Sequence, residues 1–77
     1  MELFREATVK DPKYAGAWFG LGMALEGSGG AVEERIVAYE QSIALDPSNA
    51  SAHYNLGVAL EQRGDLDSAV KEYREAI

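Results

Sequence analysis

Ala17-Trp18-Phe19-Gly20-Leu21-Gly22-Met23-Ala24-Leu25-Glu26 returns 35 positions later as Ala52-His53-Tyr54-Asn55-Leu56-Gly57-Val58-Ala59-Leu60-Glu61, with six identities in ten. In a chain of 77 residues, a repeat of that period constrains the fold more than any other feature. A unit of about 35 residues is one supersecondary element, and it cannot bury its apolar face alone. Neighbouring units must stack so that a continuous core forms between them.

Composition narrows the class further. A chain this short makes one small domain and buries only about 60% of its unfolded surface. It has no cysteine, which removes disulfides and thiolate metal sites and is compatible with a reducing compartment. No apolar run approaches the roughly 18 residues of a spanning helix, so membrane insertion is not expected. Met1-Glu2-Leu3-Phe4-Arg5-Glu6 lacks the basic stretch and apolar block of a secretory signal, which leaves a cytoplasmic location as the default expectation. The net charge is −6 and the acidic residues are scattered, which argues against nucleic acid as a partner. The same charge mildly favours a basic or neutral partner, or simply keeps the surface soluble.

Taken in order, the chain predicts five helices and no strand. Glu2 to Lys10 carries an apolar stripe of Leu3, Phe4 and Ala7 with Thr8 at helical spacing, closed by Asp11-Pro12. Ala15 to Glu26 is the second helix, followed by the turn Gly27-Ser28-Gly29-Gly30. Ala31 to Leu45 is the third, stopped by Asp46-Pro47. Ser48 or Asn49 caps the fourth, which runs to about Gln62. After Arg63-Gly64-Asp65 the fifth runs from Asp65 or Leu66 to the end. The short connections place successive helices antiparallel and adjacent. Phe4/Tyr39, Pro12/Pro47, Gly22/Gly57 and Leu25/Leu60 are 35 apart, whereas Gly30/Gly64, Tyr39/Tyr73 and Ile43/Ile77 are 34 apart. One extra residue therefore sits between Leu25 and Gly30, in a glycine-rich turn where lengthening costs little.

These residues resemble the tetratricopeptide repeat, a helix–turn–helix unit of roughly 34 residues with tryptophan, leucine, glycine, tyrosine, alanine, aromatic and proline positions in fixed order. One unit supplies Trp18, Leu21, Gly22, Leu25, Tyr39 and Pro47; the next supplies His53, Leu56, Gly57, Leu60, Gly64, Ala69, Tyr73 and Ala76. Phe4, Ala7 and Pro12 match the end of a preceding unit. The resemblance implies an all-α fold of antiparallel helix-turn-helix repeats stacked in a right-handed solenoid. It divides the chain into residues 1–12, 15–48 and 50–77. There are departures: His53 replaces the family's tryptophan, Leu25 and Leu60 replace its tyrosine, and Ser42 replaces the alanine present at Ala76. Arg35 occupies the small position held by Ala69, and the longer turn is expected to let its guanidinium snorkel to solvent.

Trp18, Leu21 and Leu25 form a packing stripe answered by Val32, Ile36, Tyr39 and Ile43, with Gly22 where helices approach closely. Rotated from it by about 100° lies a second stripe. It holds Phe19, Met23 and Glu26 in one unit and Ser51, Tyr54, Asn55, Val58, Glu61 and Gln62 in the other. In the family this face lines a concave groove. The resemblance thus implies a protein or peptide partner whose apolar groups meet Phe19, Met23, Tyr54 and Val58. Asn55 would bond its backbone, and Glu26 and Glu61 would favour a basic residue. The alternative is that these side chains merely cover neighbouring helices or the chain's own continuation. A carboxylate clamp is not expected, because Phe19 and Met23 stand where the clamping members carry lysine and asparagine. An asparagine ladder is broken at Gly20.

Other chemistry has little support. His53 is the sole histidine and lacks ligands at helical spacing, so a metal is not expected. Gly27-Ser28-Gly29-Gly30 follows a helix and lacks the Gly-Lys-Ser/Thr ending of a phosphate loop. Ser28, Ser42, Ser48, Ser51 and Ser68 have no catalytic constellation, and no cofactor or enzyme activity is expected. The chain starts inside one repeat and stops before the next turn, which leaves Val70, Tyr73, Ala76 and Ile77 as an expected uncovered face. It therefore reads as an excerpt of a longer array or as a protein completed by dimerising. The two functional expectations are a peptide-binding scaffold and a self-assembling homo-oligomer.

Overall fold

A computed structural model describes residues 2–11, 13–29 and 31–77, with the side chains of residues 2–4 excluded. The expectations for the side chains of Leu3 and Phe4, for Pro12 and for Gly30 lie outside these. Five helices follow one another: α1 (Glu2–Lys10), α2 (Ala15–Gly27), α3 (Val32–Leu45), α4 (Ala50–Arg63) and α5 (Leu66–Ala76). Among the described residues there is no strand. Each helix packs on its successor, giving a slab 33 × 26 × 14 Å.

The differences from the predicted boundaries have local causes. Gly27 completes α2, because the N–H of Ser28 still bonds Ala24 O at 3.0 Å and the chain does not turn until Gly29 adopts φ 75°. Arg63 completes α4, which ends in a tighter device. Gly64 takes φ 96°, its N–H bonds Glu61 O at 3.0 Å, and the N–H of Asp65 bonds Leu60 O at 2.9 Å. That pair of bonds satisfies the last carbonyls of the helix. Between α3 and α4, Asp46 Oδ1 accepts from the N–H of Ser48 at 3.2 Å and from its hydroxyl at 2.7 Å. These bonds hold the Asp46 carboxyl below its ordinary range. Ser48 is thereby engaged, and Asn49 caps α4 through Oδ1 to the N–H of Ala52 at 3.1 Å.

The core divides between the two interfaces that the repeat requires. Ile36, Tyr39, Leu56, Ala59, Leu60 and Ala69 form one cluster across α3, α4 and α5, flanked by Phe19, Val32, Ile43 and Tyr73. Leu21, Leu25 and Ala38 form a second between α2 and α3, with Trp18 packed on it. The leucine stripes of α2 and α4 thus occupy equivalent places, as their period requires.

Arg35 corrects an expectation. It does not snorkel: its side chain is only 11% exposed. Nη2 donates to Gln62 Oε1 at 2.6 Å, and Nη1 lies 3.8 Å from Glu26 Oε1. Its Nε is buried without a partner. The guanidinium finds an amide on the next unit's first helix, which makes reaching water unnecessary.

Candidate functional site

α2 and α4 are equivalent first helices, so Phe19 and Tyr54 occupy equivalent points. Each rests on the tyrosine of its own second helix. The Phe19 and Tyr39 ring centroids are 6.0 Å apart at 52°, and those of Tyr54 and Tyr73 are 5.5 Å apart at 46°. Tilted pairs at these distances add favourable quadrupole contact to the area they bury. They fix two aromatic platforms along one face of the slab.

An open cleft of about 870 Å³ runs along that face, lined by Phe19, Met23, Ala50, Ser51, Tyr54, Asn55, Tyr73, Ala76 and Ile77. It is of the size that binding sites commonly have. Met23 is 48% exposed and Tyr54 56%, so both present apolar surface to solvent. Five of the groove candidates therefore meet here: Phe19, Met23, Ser51, Tyr54 and Asn55. Tyr73, Ala76 and Ile77, assigned from sequence to a self-association face, form its other wall. The two candidate sets are largely one surface. Val58 is half-buried, and Val70 is exposed; both lie outside the cleft lining. Ala50 was missed, although its place four residues before Tyr54 puts it on the same helical face.

The polar groups are more engaged than the sequence suggests. Glu61 Oε1 accepts the Tyr73 hydroxyl at 2.7 Å. That bond, more than burial, pushes the Tyr73 phenol up to about 12. Glu26, the counterpart of Glu61, faces Arg35, and Gln62 accepts from it. None of Glu26, Glu61 and Gln62 lines the cleft. Tyr39 is fully buried, and its hydroxyl has no hydrogen-bond partner. Burial first, then the charge of Glu26, pushes this phenol also to about 12. Asn55 and Glu26 are close enough to influence it, but neither is in bonding position.

A smaller hollow of about 270 Å³ is lined by Arg5, Trp18, Leu21, Leu25, Glu33, Glu34, Val37 and Ala38, and Arg5 pairs with Glu34 at its edge. Among the described residues no group of His, Cys, Asp and Glu is placed to hold a metal ion, and no helix is long and apolar enough to cross a membrane.

Helix pairing, the close-approach glycines and the aromatic platforms coincide with the sequence comparison. Residues 28–64 match the family model described as TPR repeat. This chain carries tetratricopeptide repeats. The solved crystal structure of MamA matches 97% of this chain with a TM-score of 0.88 and 31% sequence identity. The chain spans 43% of the length of that structure. None of the curated proteins matches it. Tetratricopeptide repeats generally mediate protein–protein interaction, and their fold is a family of non-catalytic scaffolds.

Proposed function

We propose that this tetratricopeptide chain is a non-catalytic scaffold that captures a peptide or helix in the cleft between α2, α4 and α5. Its working units are residues 15–48 and 50–77, with residues 1–12 ending a preceding one. The observation that carries the reading is the cleft itself, with exposed Met23 and Tyr54 beside Asn55. A partner's apolar side chains would bury on Met23, Tyr54 and Ile77 while Asn55 bonds its backbone. Burial of this kind stabilises by roughly 25 cal/mol per Å² before the cost of association. The net charge of −6 favours a partner that is basic beside its apolar residues.

Selection from a displayed random-peptide library tests this. Apolar and basic sequences are expected to enrich on the wild-type chain and to lose binding to the Met23→Glu/Tyr54→Glu variant, with helicity unchanged. Equal binding to both would overturn the reading.

A second reading has its own support. Tyr73, Ala76 and Ile77 form one wall of the cleft, and Val70 is exposed on the same helix, so a second copy of the chain could occupy it. Light scattering on a sizing column at tens of micromolar decides this; a strict monomer removes it.

A further inference from the structure

The Trp18 position of the first unit holds His53 in the second, and its environment is built for two protons. Nδ1 lies 2.8 Å from Glu72 Oε1 on α5, and Nε2 lies 2.8 Å from the carbonyl oxygen of Pro47 in the turn entering α4. Both oxygens are acceptors. A neutral imidazole has one N–H and can satisfy only one of them, leaving a ring lone pair against an oxygen lone pair. The imidazolium donates to both. The residue is only 7% exposed, so water is poorly placed to relieve the mismatch. We infer that His53 is a proton-dependent latch, holding α5 against the start of α4 when the ring carries both protons and loosening it when one is lost. The latch stands independently of what the cleft binds.

The comparison between units supports a matched pair. With offsets of 35 for first helices and 34 for second helices, Trp18 corresponds to His53 and Ala38 to Glu72. In the first unit a large ring packs by a small alanine; in the second a smaller ring meets a carboxylate. The charges acting on His53 are those of Glu72 and Glu75, both on α5 and both negative. The turn contributes the Pro47 carbonyl. Burial opposes the charged ring but is outweighed, so the group titrates above its ordinary 6.5. The raised value sets the sign. The stabilisation is complete below the unfolded chain's pKa and is lost as pH rises through the folded one.

A chain with one histidine makes the test direct. Nitrogen-detected NMR of His53 is expected to give a midpoint above 6.5, with both ring nitrogens protonated on its acid side. Glu72→Gln, at a part-exposed site, is expected to move that midpoint down. In urea melts the wild-type chain is expected to lose stability as pH rises above about 6.5 and through the folded-state midpoint, and the variant to lose less. A wild-type midpoint at or below 6.5, a single ring N–H at the acid end, or equal pH dependence in both chains would each overturn the latch.

Discussion

The ring of Tyr39 fills the space that a side chain at Gly22 would need. A Cβ there would lie 2.5 Å from Cε1, 2.8 Å from Cδ1 and 2.9 Å from Cζ of that ring. Tyr39 is fully buried and cannot swing aside. Gly57 repeats the relationship with Tyr73 at 2.7 Å from Cε1, but Tyr73 is only half-buried. Alanine is intrinsically favoured over glycine in a helix by roughly 0.5–1 kcal/mol. Overpacking a fixed core costs about 1–3 kcal/mol. Gly22→Ala is therefore expected to destabilise the chain by about 1–3 kcal/mol. Gly57→Ala, which meets a Tyr73 ring that is only half-buried, is expected to cost less than Gly22→Ala. Paired denaturant melts check the ordering; a Gly57 variant that is the weaker of the two contradicts it.

Arg35 and Gln62 are expected to be energetically coupled. Hydrogen bonds to charged groups contribute about 1.5–3 kcal/mol when part-buried, and loss of one partner leaves the other desolvated. Gln62→Ala, although at an exposed position, is expected to destabilise by about 1–2 kcal/mol because it strands the guanidinium. Arg35→Met keeps the stem's packing and removes the buried charge, so it is expected to be neutral or stabilising. In the Arg35→Met background, Gln62→Ala is expected to cost nearly nothing. A double-mutant cycle with a coupling energy below about 0.3 kcal/mol would show the two side chains to be independent.

The repeat made the helices legible to within a residue or two, because Leu21/Leu56, Gly22/Gly57 and Tyr39/Tyr73 are set by packing that each unit must satisfy. What stayed hidden was the pairing of side chains that do not repeat. Arg35 reads as an intruder in a small slot until Gln62 appears 27 residues on, where the counterpart in the first unit is Gly27. His53 reads as a weak tryptophan until Glu72 appears 19 residues on. In both cases two departures from the repeat compensate each other across a helix interface. Comparing the units at their separate offsets could have exposed both pairs. The cleft was half legible: periodicity groups Phe19 with Met23, but bringing α5's Tyr73 and Ile77 opposite them depends on how the helices pack.

Tyr39 and Tyr73 give an alkaline signature distinct from the His53 latch. Tyr39 is pushed to about 12 chiefly by burial, and Tyr73 to about 12 chiefly by its bond to Glu61. Both rise from 10.0, so the unfolded chain gives up these protons first, and stability is expected to fall from about pH 10 towards pH 12. Glu61→Gln removes the charge that holds the Tyr73 proton. It is expected to lower the Tyr73 midpoint and leave that of Tyr39 in place, as followed by phenolate absorbance with Tyr39→Phe for assignment. A Tyr73 midpoint unmoved by Glu61→Gln would show that its bond to Glu61 is not made in solution.

Asn49 offers the cleanest local test of how α4, which carries Tyr54 and Asn55, is positioned. Of the residues preceding α2 to α5 – Tyr14, Ala31, Asn49 and Asp65 – only Asn49 uses its side chain to cap the helix. Its Oδ1 takes the N–H of Ala52, one of the first-turn donors that no intrahelical carbonyl can reach. Alanine there is expected to cost about 1 kcal/mol, and aspartate, which can make the same bond and suits the positive end of the helix dipole, close to nothing. For a chain of this size that difference is about 4–8 °C in the melting midpoint. Ser48→Ala, which removes only an exposed bond to Asp46, is expected to move it far less. Equal losses at Ser48 and Asn49 would place the support for α4 in the turn as a whole instead of in the cap.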